Sequence, residues 1–134
     1  MEYKLTYKDY YEGLKQGKML GLKCKDCGEY TVPPRMVCQE CGSMDTEVKE
    51  LSGSGKIKTY TIEYVVPDGF KPPLIVALVE TDEGPWVMGN IEGIDPEEAA
   101  KQDLIDRRVK IGHKVITDVP FSAGEGITLT FTLV

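Results

Sequence analysis

Residues 24–42 read CKDCGEYTVPPRMVCQECG and contain all four cysteines of the chain. The segments Cys24-Lys-Asp-Cys27-Gly28 and Cys38-Gln-Glu-Cys41-Gly42 are two copies of one knuckle, with ten residues between Cys27 and Cys38. Two residues between the cysteines let a tight turn direct both thiolates at one ion, and the following glycine can adopt a positive φ. Two such turns predict a tetrahedral four-sulfur site. Four thiolates leave no open coordination position, so the predicted metal is structural rather than catalytic.

The metal expected at this site is zinc. Iron in a rubredoxin-like site is the rival, because a four-sulfur tetrahedron suits it too, and two disulfides or free buried thiols are the remaining alternatives. The first twenty residues mix charge with tyrosine and lack the apolar core of a secretory signal, so we expect a cytoplasmic protein. A reducing cytoplasm favours metal binding over disulfides. No stretch approaches the roughly 20 apolar residues that cross a bilayer.

The length of 134 residues allows one ordinary core and a small appendage. Sixteen basic and twenty-two acidic residues give a net charge of −6, which disfavours nonspecific binding to nucleic acid. All cysteines precede residue 52 and the rest of the sequence is β-rich, so we expect a division into residues 1–52 and 53–134. These parts carry net charges of −1 and −5.

A short amphipathic helix is expected before the cysteines. Its apolar face contains residues at spacings of four, three and four, namely Tyr3, Tyr7, Tyr10 and Leu14. Thr6 and Asp9 resemble a capping box, and two glycines end the helix near Lys18. These tyrosines either cover the core of the protein or form an exposed face that binds a partner, and the pattern does not decide between the two.

The sequence after Gly53 predicts five strands and one helix. KIKTYTIEYVV forms a long strand with a register shift near Thr59 and Tyr60, and TDEGP joins LIVALVE to WVMGNIE in a hairpin. Asp95 caps a helix from Pro96 to Asp103, and RRVKIGHKVITDV and GITLTFTLV, separated by a flexible SAGEG turn, complete the sheet. One helix between the third and fourth of five strands is the layout of an OB-fold. The predicted fold is mainly β, with an N-terminal helix and a rubredoxin-like zinc ribbon before a five-stranded OB-fold barrel.

The proline-rich loop PDGFKPP is the first candidate for ligand binding. It places Phe70 and Lys71 near one mouth of the barrel, and with Trp86 they offer aromatic stacking and a cation to an adenine nucleotide moiety. Packing of Phe70 and Trp86 in the core is the alternative. A basic cluster could contact phosphates or simply form a solvated strand edge, and it comprises Arg107, Arg108 and Lys110.

No catalytic residues are predicted. The single histidine, His113, would need Ser122 and Asp118 as partners, but all three lie in one β segment without a nucleophile elbow, so a surface or turn histidine is expected. The segment GSGKI around Lys56 lacks the spacing of a phosphate-binding loop and reads as a hinge into the first barrel strand.

The order of these features resembles the zinc-ribbon plus OB-fold family of acyl-CoA-associated proteins, long catalogued as a domain of unknown function. The resemblance spans the chain and rests on the tyrosine-bearing helix, the paired knuckles around Pro33-Pro34-Arg35, Gly53-x-Gly55, and Pro72-Pro73 before a strand. It implies an accessory subunit of a thiolase or a hydroxymethylglutaryl-CoA synthase-type enzyme. The ribbon and helix would dock on the enzyme, while the OB domain would bind or shield the CoA portion of an acyl-CoA.

Two other functions compete with this implication. Zinc ribbons and OB-folds each bind RNA or DNA in other proteins, although fold analogy alone is weak support and the OB half is acidic. A small independent enzyme such as a thioesterase is the other, and it lacks a visible nucleophile or acid and base pair.

Overall fold

The N-terminal part of the chain is a short helix followed by a three-stranded antiparallel sheet. A computed structural model describes residues 4–66, 70–116 and 126–134. Helix α1 spans Tyr7–Lys15, and strands β1 (Met19–Cys24), β2 (Tyr30–Thr31) and β3 (Thr46–Leu51) form a sheet in the order β2-β1-β3. The knuckles connect these strands. Sequence reasoning had predicted the knuckles but none of the three strands.

The predicted N-terminal cap of α1 is confirmed, whereas the predicted C-terminal end of the helix is wrong. The Thr6 side chain accepts a hydrogen bond from the Asp9 backbone N–H, and Asp9 reciprocates. The helix ends at Lys15 rather than near Lys18, because Gly17 adopts a φ of 79° and its N–H bonds back to the Leu14 carbonyl. Tyr10 and Leu14 are buried as the pattern predicts, whereas Tyr7 is exposed and Tyr3 lies outside the described residues.

The remaining strands close into a barrel with the connectivity of an OB-fold. They are β4 (Ser54–Glu63), β5 (Leu74–Thr81), β6 (Trp86–Glu92), β7 (Arg108–Ile116) and β8 (Gly126–Leu133), with helix α2 (Pro96–Ala100) between β6 and β7. The order around the barrel is β4-β5-β6-β8-β7, and only the β6–β8 pair is parallel. The predicted fold class is therefore confirmed.

Three local predictions need correction. The long first strand ends at Glu63, opposite Leu74, because Pro72 and Pro73 precede β5 and have no N–H with which to extend the ladder. Its register shift falls between Ile57 and Thr59, one residue before the predicted place. Helix α2 begins at Pro96 after the Asp95 cap but ends at Ala100, and the chain then turns so that Leu104 enters the core.

The apolar core continues from the helix and ribbon into the barrel. Residues of both parts belong to one buried cluster, which includes Leu14 and Met19 from the first part and Ile57 and Phe131 from the second. The chain passes from β3 to β4 between Leu51 and Ser54. The division into residues 1–52 and 53–134 stays a prediction. In the described ranges, no helix is both long and apolar enough to span a bilayer.

Candidate metal centre and binding surface

Each knuckle is built by one tight turn at the end of a cysteine pair. In the first, the Gly28 N–H donates to the Cys24 carbonyl over 3.0 Å and Gly28 adopts a φ of 78°. In the second, the Gly42 N–H donates to the Cys38 carbonyl over 3.0 Å and Gly42 has a φ of 79°. A side chain at either glycine would be strained in this left-handed conformation. The repeated glycine therefore serves the geometry that the sequence predicts.

The two knuckles bring the four sulfur atoms into one cluster. The Sγ atoms of Cys24 and Cys41 are 3.5 Å apart, those of Cys27 and Cys38 are 3.6 Å apart, and all four lie within 4.8 Å of one another. A tetrahedral ion with bonds of about 2.3 Å to sulfur requires neighbouring sulfurs about 3.8 Å apart. The spacing and the donor set thus fit one tetrahedral metal ion with four thiolate ligands.

Backbone N–H groups within the knuckles favour the thiolate form of the two buried cysteines. The pKa of the Cys38 thiol falls to about 6 because the backbone N–H groups of Cys41 and Glu40 point at its sulfur. The pKa of Cys24 is likewise lowered, chiefly by the backbone N–H of Cys27. Because metals bind the thiolate, these N–H groups favour cation binding at two of the four cysteines, whereas burial and the neighbouring thiols raise the pKa of Cys27 and Cys41.

Hydrogen bonds also join one knuckle to the other. Ser43, after the second knuckle, donates its hydroxyl to the Asp26 carboxylate of the first over 2.5 Å. The Lys25 N–H donates to the Asp45 carbonyl over 2.9 Å, and the Lys25 ammonium lies 3.9 Å from the Asp45 carboxylate. These contacts hold the two turns in register independently of the sulfur atoms.

A second feature is an apolar surface on the outside of the barrel. Strand β5 buries Ile75, Ala77 and Val79 inside the barrel and directs aliphatic side chains outward at the alternate positions. We call the outward apolar side chains of β5 and β6 the outer barrel face, which comprises Leu74, Val76, Leu78, Trp86 and Met88 and is bordered by the carboxylate of Glu80. Three neighbouring depressions in this region share Met88 as a lining residue.

The two β6 residues of the outer barrel face are strongly exposed. The side chains of Trp86 and Met88 are 48% and 67% exposed, and the Trp86 indole N–H donates to the Glu80 carboxylate over 3.2 Å. This hydrogen bond fixes the indole on the surface. The expectation that Trp86 packs in the core is therefore wrong.

An apolar depression lies where helix α1 and the ribbon meet the barrel. This apolar cleft has a volume of about 450 Å³. Its walls come from the helix, from the segment between the knuckles and from three barrel strands, and they contain Tyr10, Tyr11, Leu14, Pro33, Leu78, Trp86, Val87, Met88, Ile127 and Leu129. The predicted tyrosine face thus divides, because Tyr10 is buried while Tyr7 is exposed; Tyr11, which the prediction did not include, is exposed beside the cleft.

The three residues expected to bind a nucleotide moiety are not brought together. Trp86 lines the apolar cleft, Phe70 lines a depression with Asn90 and Thr128, and Lys71 lines a third depression that it shares with Lys114. Phe70 is half-buried and Lys71 is exposed. The residues Pro67 to Gly69 of the same loop lie outside the described part.

Two arginines of the basic cluster are held by hydrogen bonds, and the histidine is exposed. The Arg108 guanidinium binds both oxygens of Asp82 at 2.8 and 3.0 Å, and this pairing lowers the pKa of Asp82. Arg107 donates to the Gln102 side chain. The strand-edge interpretation is wrong, since β7 pairs with β4 and β8 in a closed barrel. His113 is exposed within β7, and Ser122 and Asp118 fall outside the described residues.

Sequence reasoning missed most of the outer barrel face. The available signal was the run LIVALV in β5, which is apolar at both alternating sets of positions. An antiparallel strand with one face in water shows alternation instead, so a continuous apolar run predicts cover on both faces. Met88 has no comparable signal of its own.

Comparison with known proteins identifies both halves of this architecture. The ChsH2 rubredoxin-like zinc ribbon domain matches residues 12–47, and the ChsH2 C-terminal OB-fold domain matches residues 48–116. The solved structure of an Ltp2-ChsH2(DUF35) aldolase superposes with a TM-score of 0.70 and 27% identity, covering 92% of this chain and 91% of that one.

Two curated relatives add a sequence link. A DUF35 domain-containing scaffold protein of Methanocaldococcus jannaschii is 34% identical over 99 residues, which cover 69% of this chain and 70% of the relative. Benzoylsuccinyl-CoA thiolase subunit BbsA of Geobacter metallireducens is 33% identical over 73 residues, 54% of this chain and 49% of that subunit. With the ribbon and the OB-fold both matched, the chain belongs to the DUF35 family, whose members combine a rubredoxin-like zinc ribbon with an OB-fold domain.

Proposed function

We propose that this chain is a noncatalytic accessory subunit that binds a thiolase-like or hydroxymethylglutaryl-CoA synthase-like enzyme. The observation that carries the proposal is the outer barrel face, where Trp86 and Met88 are exposed and the outward apolar side chains of β5 are only half-buried by the described part of the chain. Contiguous apolar surface of this kind marks interaction sites in soluble proteins. The relative BbsA, a named subunit of a thiolase, supports this class of partner.

The exposed residues of the face are of the types that dominate binding energy. Tryptophan and tyrosine are enriched among the residues whose truncation costs most at interfaces, and methionine is enriched in interface cores. Full burial of a methionine side chain contributes about 1.5–3 kcal/mol. Since Met88 is 67% exposed, most of that contribution is still available to a partner.

In this proposal the metal is zinc and its role is to shape the docking surface. The segment between the knuckles begins after Cys27 and ends before Cys38, so one ion fixes both of its ends. That segment contains Pro33, which lines the apolar cleft, and Pro34, which packs beside Leu5 and Tyr7. Loss of the metal would release this wall of the cleft without touching the barrel strands.

We also propose a site for the CoA portion of an acyl-CoA. It keeps Phe70 and Lys71 of the sequence-based prediction and has Lys114 in place of Trp86. Lys71 and Lys114 flank one depression of about 230 Å³, and Phe70 lies on the neighbouring depression that shares Leu74 with it. Two ammonium groups beside an aromatic ring suit phosphates and an adenine. Trp86 lines a different depression and is assigned to the protein interface instead.

Titration calorimetry tests this ligand site. We expect CoA to bind the complex of the chain with its enzyme, and Lys71→Glu to weaken that binding at least tenfold. The control is Lys49→Glu, which reverses the charge of an exposed ribbon lysine remote from the loop. Equal affinity of the Lys71 and Lys49 variants would contradict the assignment.

A nucleic-acid module is less well supported by the surface charge. The chain carries a net charge of −6, and Arg108 of the basic cluster is engaged by Asp82. Binding to phosphate backbones depends on free cationic side chains.

We retain the division into residues 1–52 and 53–134 as a proposal for the domain organisation, with limited proteolysis near Ser52 as its test.

Affinity purification from the native cell at low salt tests the main proposal. Mass spectrometry of the recovered proteins should identify a thiolase-like or synthase-like enzyme in near-stoichiometric amount. Recovery of nucleic-acid machinery without any acyl-CoA enzyme would contradict the accessory role and favour the nucleic-acid alternative. Turnover of an acyl-CoA thioester by the purified chain alone would contradict the noncatalytic assignment.

A further inference from the structure

Strand β6 is paired on both sides over only part of its length. It pairs with β5 from Trp86 to Asn90, whereas its pairing with β8 is limited to Asn90, Ile91 and Glu92. Within residues 4–66, 70–116 and 126–134, no strand pairs with the opposite edge of β6 between Trp86 and Gly89. Among these residues, the barrel therefore has a free strand edge beside β8.

The hydrogen-bond alternation shows which backbone groups occupy this edge. The Thr81 N–H donates to the Pro85 carbonyl over 2.9 Å, so Thr81 and Pro85 form a hydrogen-bonded pair of the hairpin. In an antiparallel ladder such pairs alternate with non-bonded pairs. Val87 and Gly89 consequently bond to β5, while the N–H and C=O groups of Trp86 and Met88 point away from it.

The same two residues border the apolar cleft. Strands β6 and β8 approach closely at Gly89, where a Cβ atom would lie 2.5 Å from the Leu129 carbonyl oxygen. Beyond this point their facing residues Trp86, Met88 and Ile127 line the cleft instead of pairing with each other. None of the described residues that line the cleft is charged.

We propose that an extended, uncharged peptide segment of the partner enzyme adds to the free edge of β6 at Trp86–Gly89. Its backbone would bond to the N–H and C=O groups of Trp86 and Met88, and its alternate side chains would enter the apolar cleft. An acyl chain or an α-helix in the same cleft would leave these backbone groups without a bonding partner, so the edge favours a strand. Only the identity of the partner rests on the proposed function.

A phage-displayed library of random seven-residue peptides tests the site without a known partner. Selection on the zinc-loaded chain should enrich peptides with alternating aliphatic residues and no proline. Met88→Pro removes the edge N–H while leaving the β5 ladder intact, and it should weaken the selected peptides at least tenfold. Met88→Ala removes the same side chain but keeps the N–H, so it is the matched control, and Met88→Pro should bind the selected peptides at least tenfold more weakly than Met88→Ala does.

Amide hydrogen exchange provides a measurement that does not depend on the folding of Met88→Pro. In the wild-type chain, the Met88 amide should exchange rapidly when free and at least tenfold more slowly with a selected peptide bound. Failure to enrich any peptide, equal binding to both Met88 variants, or an unchanged Met88 exchange rate would overturn the proposal. Affinity purification tests the accessory role separately, because it can recover an acyl-CoA enzyme even when the peptide and exchange experiments fail. Failure of the edge-binding proposal is therefore distinguishable from failure of the proposed function.

Discussion

Substitution of Gly89 by alanine should open the barrel where β6 meets β8. A Cβ at this position would lie 2.5 Å from the Leu129 carbonyl oxygen and 2.8 Å from the Phe131 ring. The oxygen belongs to a backbone that is paired with β7, and Phe131 is fully buried, so neither neighbour can move cheaply.

The expected loss of stability follows from this overlap. Overpacking a well-packed core costs about 1–3 kcal/mol, and the reduced freedom of the unfolded chain returns about 0.5 kcal/mol when glycine becomes alanine. Because the overlap at Gly89 includes a backbone atom, we expect a net loss of about 2 kcal/mol. For a chain of this size, that corresponds to a decrease of about 8 °C in Tm.

Differential scanning calorimetry of the zinc-loaded protein at neutral pH measures this effect. The matched control is Gly126→Ala in β8, where the nearest atom that a Cβ would meet among the described residues is the Ile116 carbonyl oxygen, at an ordinary 3.9 Å. The control should melt within about 2 °C of wild type. If Gly89→Ala also melted within that interval, the close approach of β6 and β8, and with it the shape of the apolar cleft, would be refuted.

Three further outcomes are expected. Removal of the hydroxyl in Ser43→Ala should lower zinc affinity about tenfold in competition with a chromophoric chelator, because Asp26 then no longer holds the two knuckles together, and an unchanged affinity would contradict this role. Leu14→Ala should reduce the free energy of unfolding by about 2–4 kcal/mol in urea, since the side chain is buried between helix and barrel, and a loss below about 1 kcal/mol would argue against that packing. Carboxyl NMR should place the pKa of Asp82 below its ordinary range, and this pKa should rise towards that range in Arg108→Gln. The Asp82–Arg108 pair stabilises the fold fully above the unfolded pKa of about 4, and this stabilisation is lost as the pH falls through the lowered pKa.

The four-sulfur cluster was predictable because its chemistry is local. Spacing of two residues and a following glycine determine the turn, and the turn determines where each sulfur points. The same holds for the helix starts at Thr6 and Asp95, where a short polar side chain caps the first N–H groups. In each case, residues within five positions of one another contain the whole signal.

The binding surface was harder to predict because it depends on distant pairings. Core packing was one of two interpretations of Trp86, and only its pairing opposite Glu80 shows that the side chain points outward. Phe70 and Lys71 were grouped with Trp86 because all are suited to a nucleotide, yet the barrel places them in separate depressions. Residue type alone does not report which side of a closed barrel a side chain occupies.

Quantitative affinity purification with two charge-introducing variants tests the central claim most directly. Met88→Glu places a carboxylate in the outer barrel face, and Val65→Glu places one at a residue that is 92% exposed and does not belong to that face. We expect wild type and Val65→Glu to recover the same acyl-CoA enzyme, and Met88→Glu to recover at least tenfold less. Equal recovery by the two variants, or the absence of any acyl-CoA enzyme with wild type, would contradict a scaffold that docks through this surface.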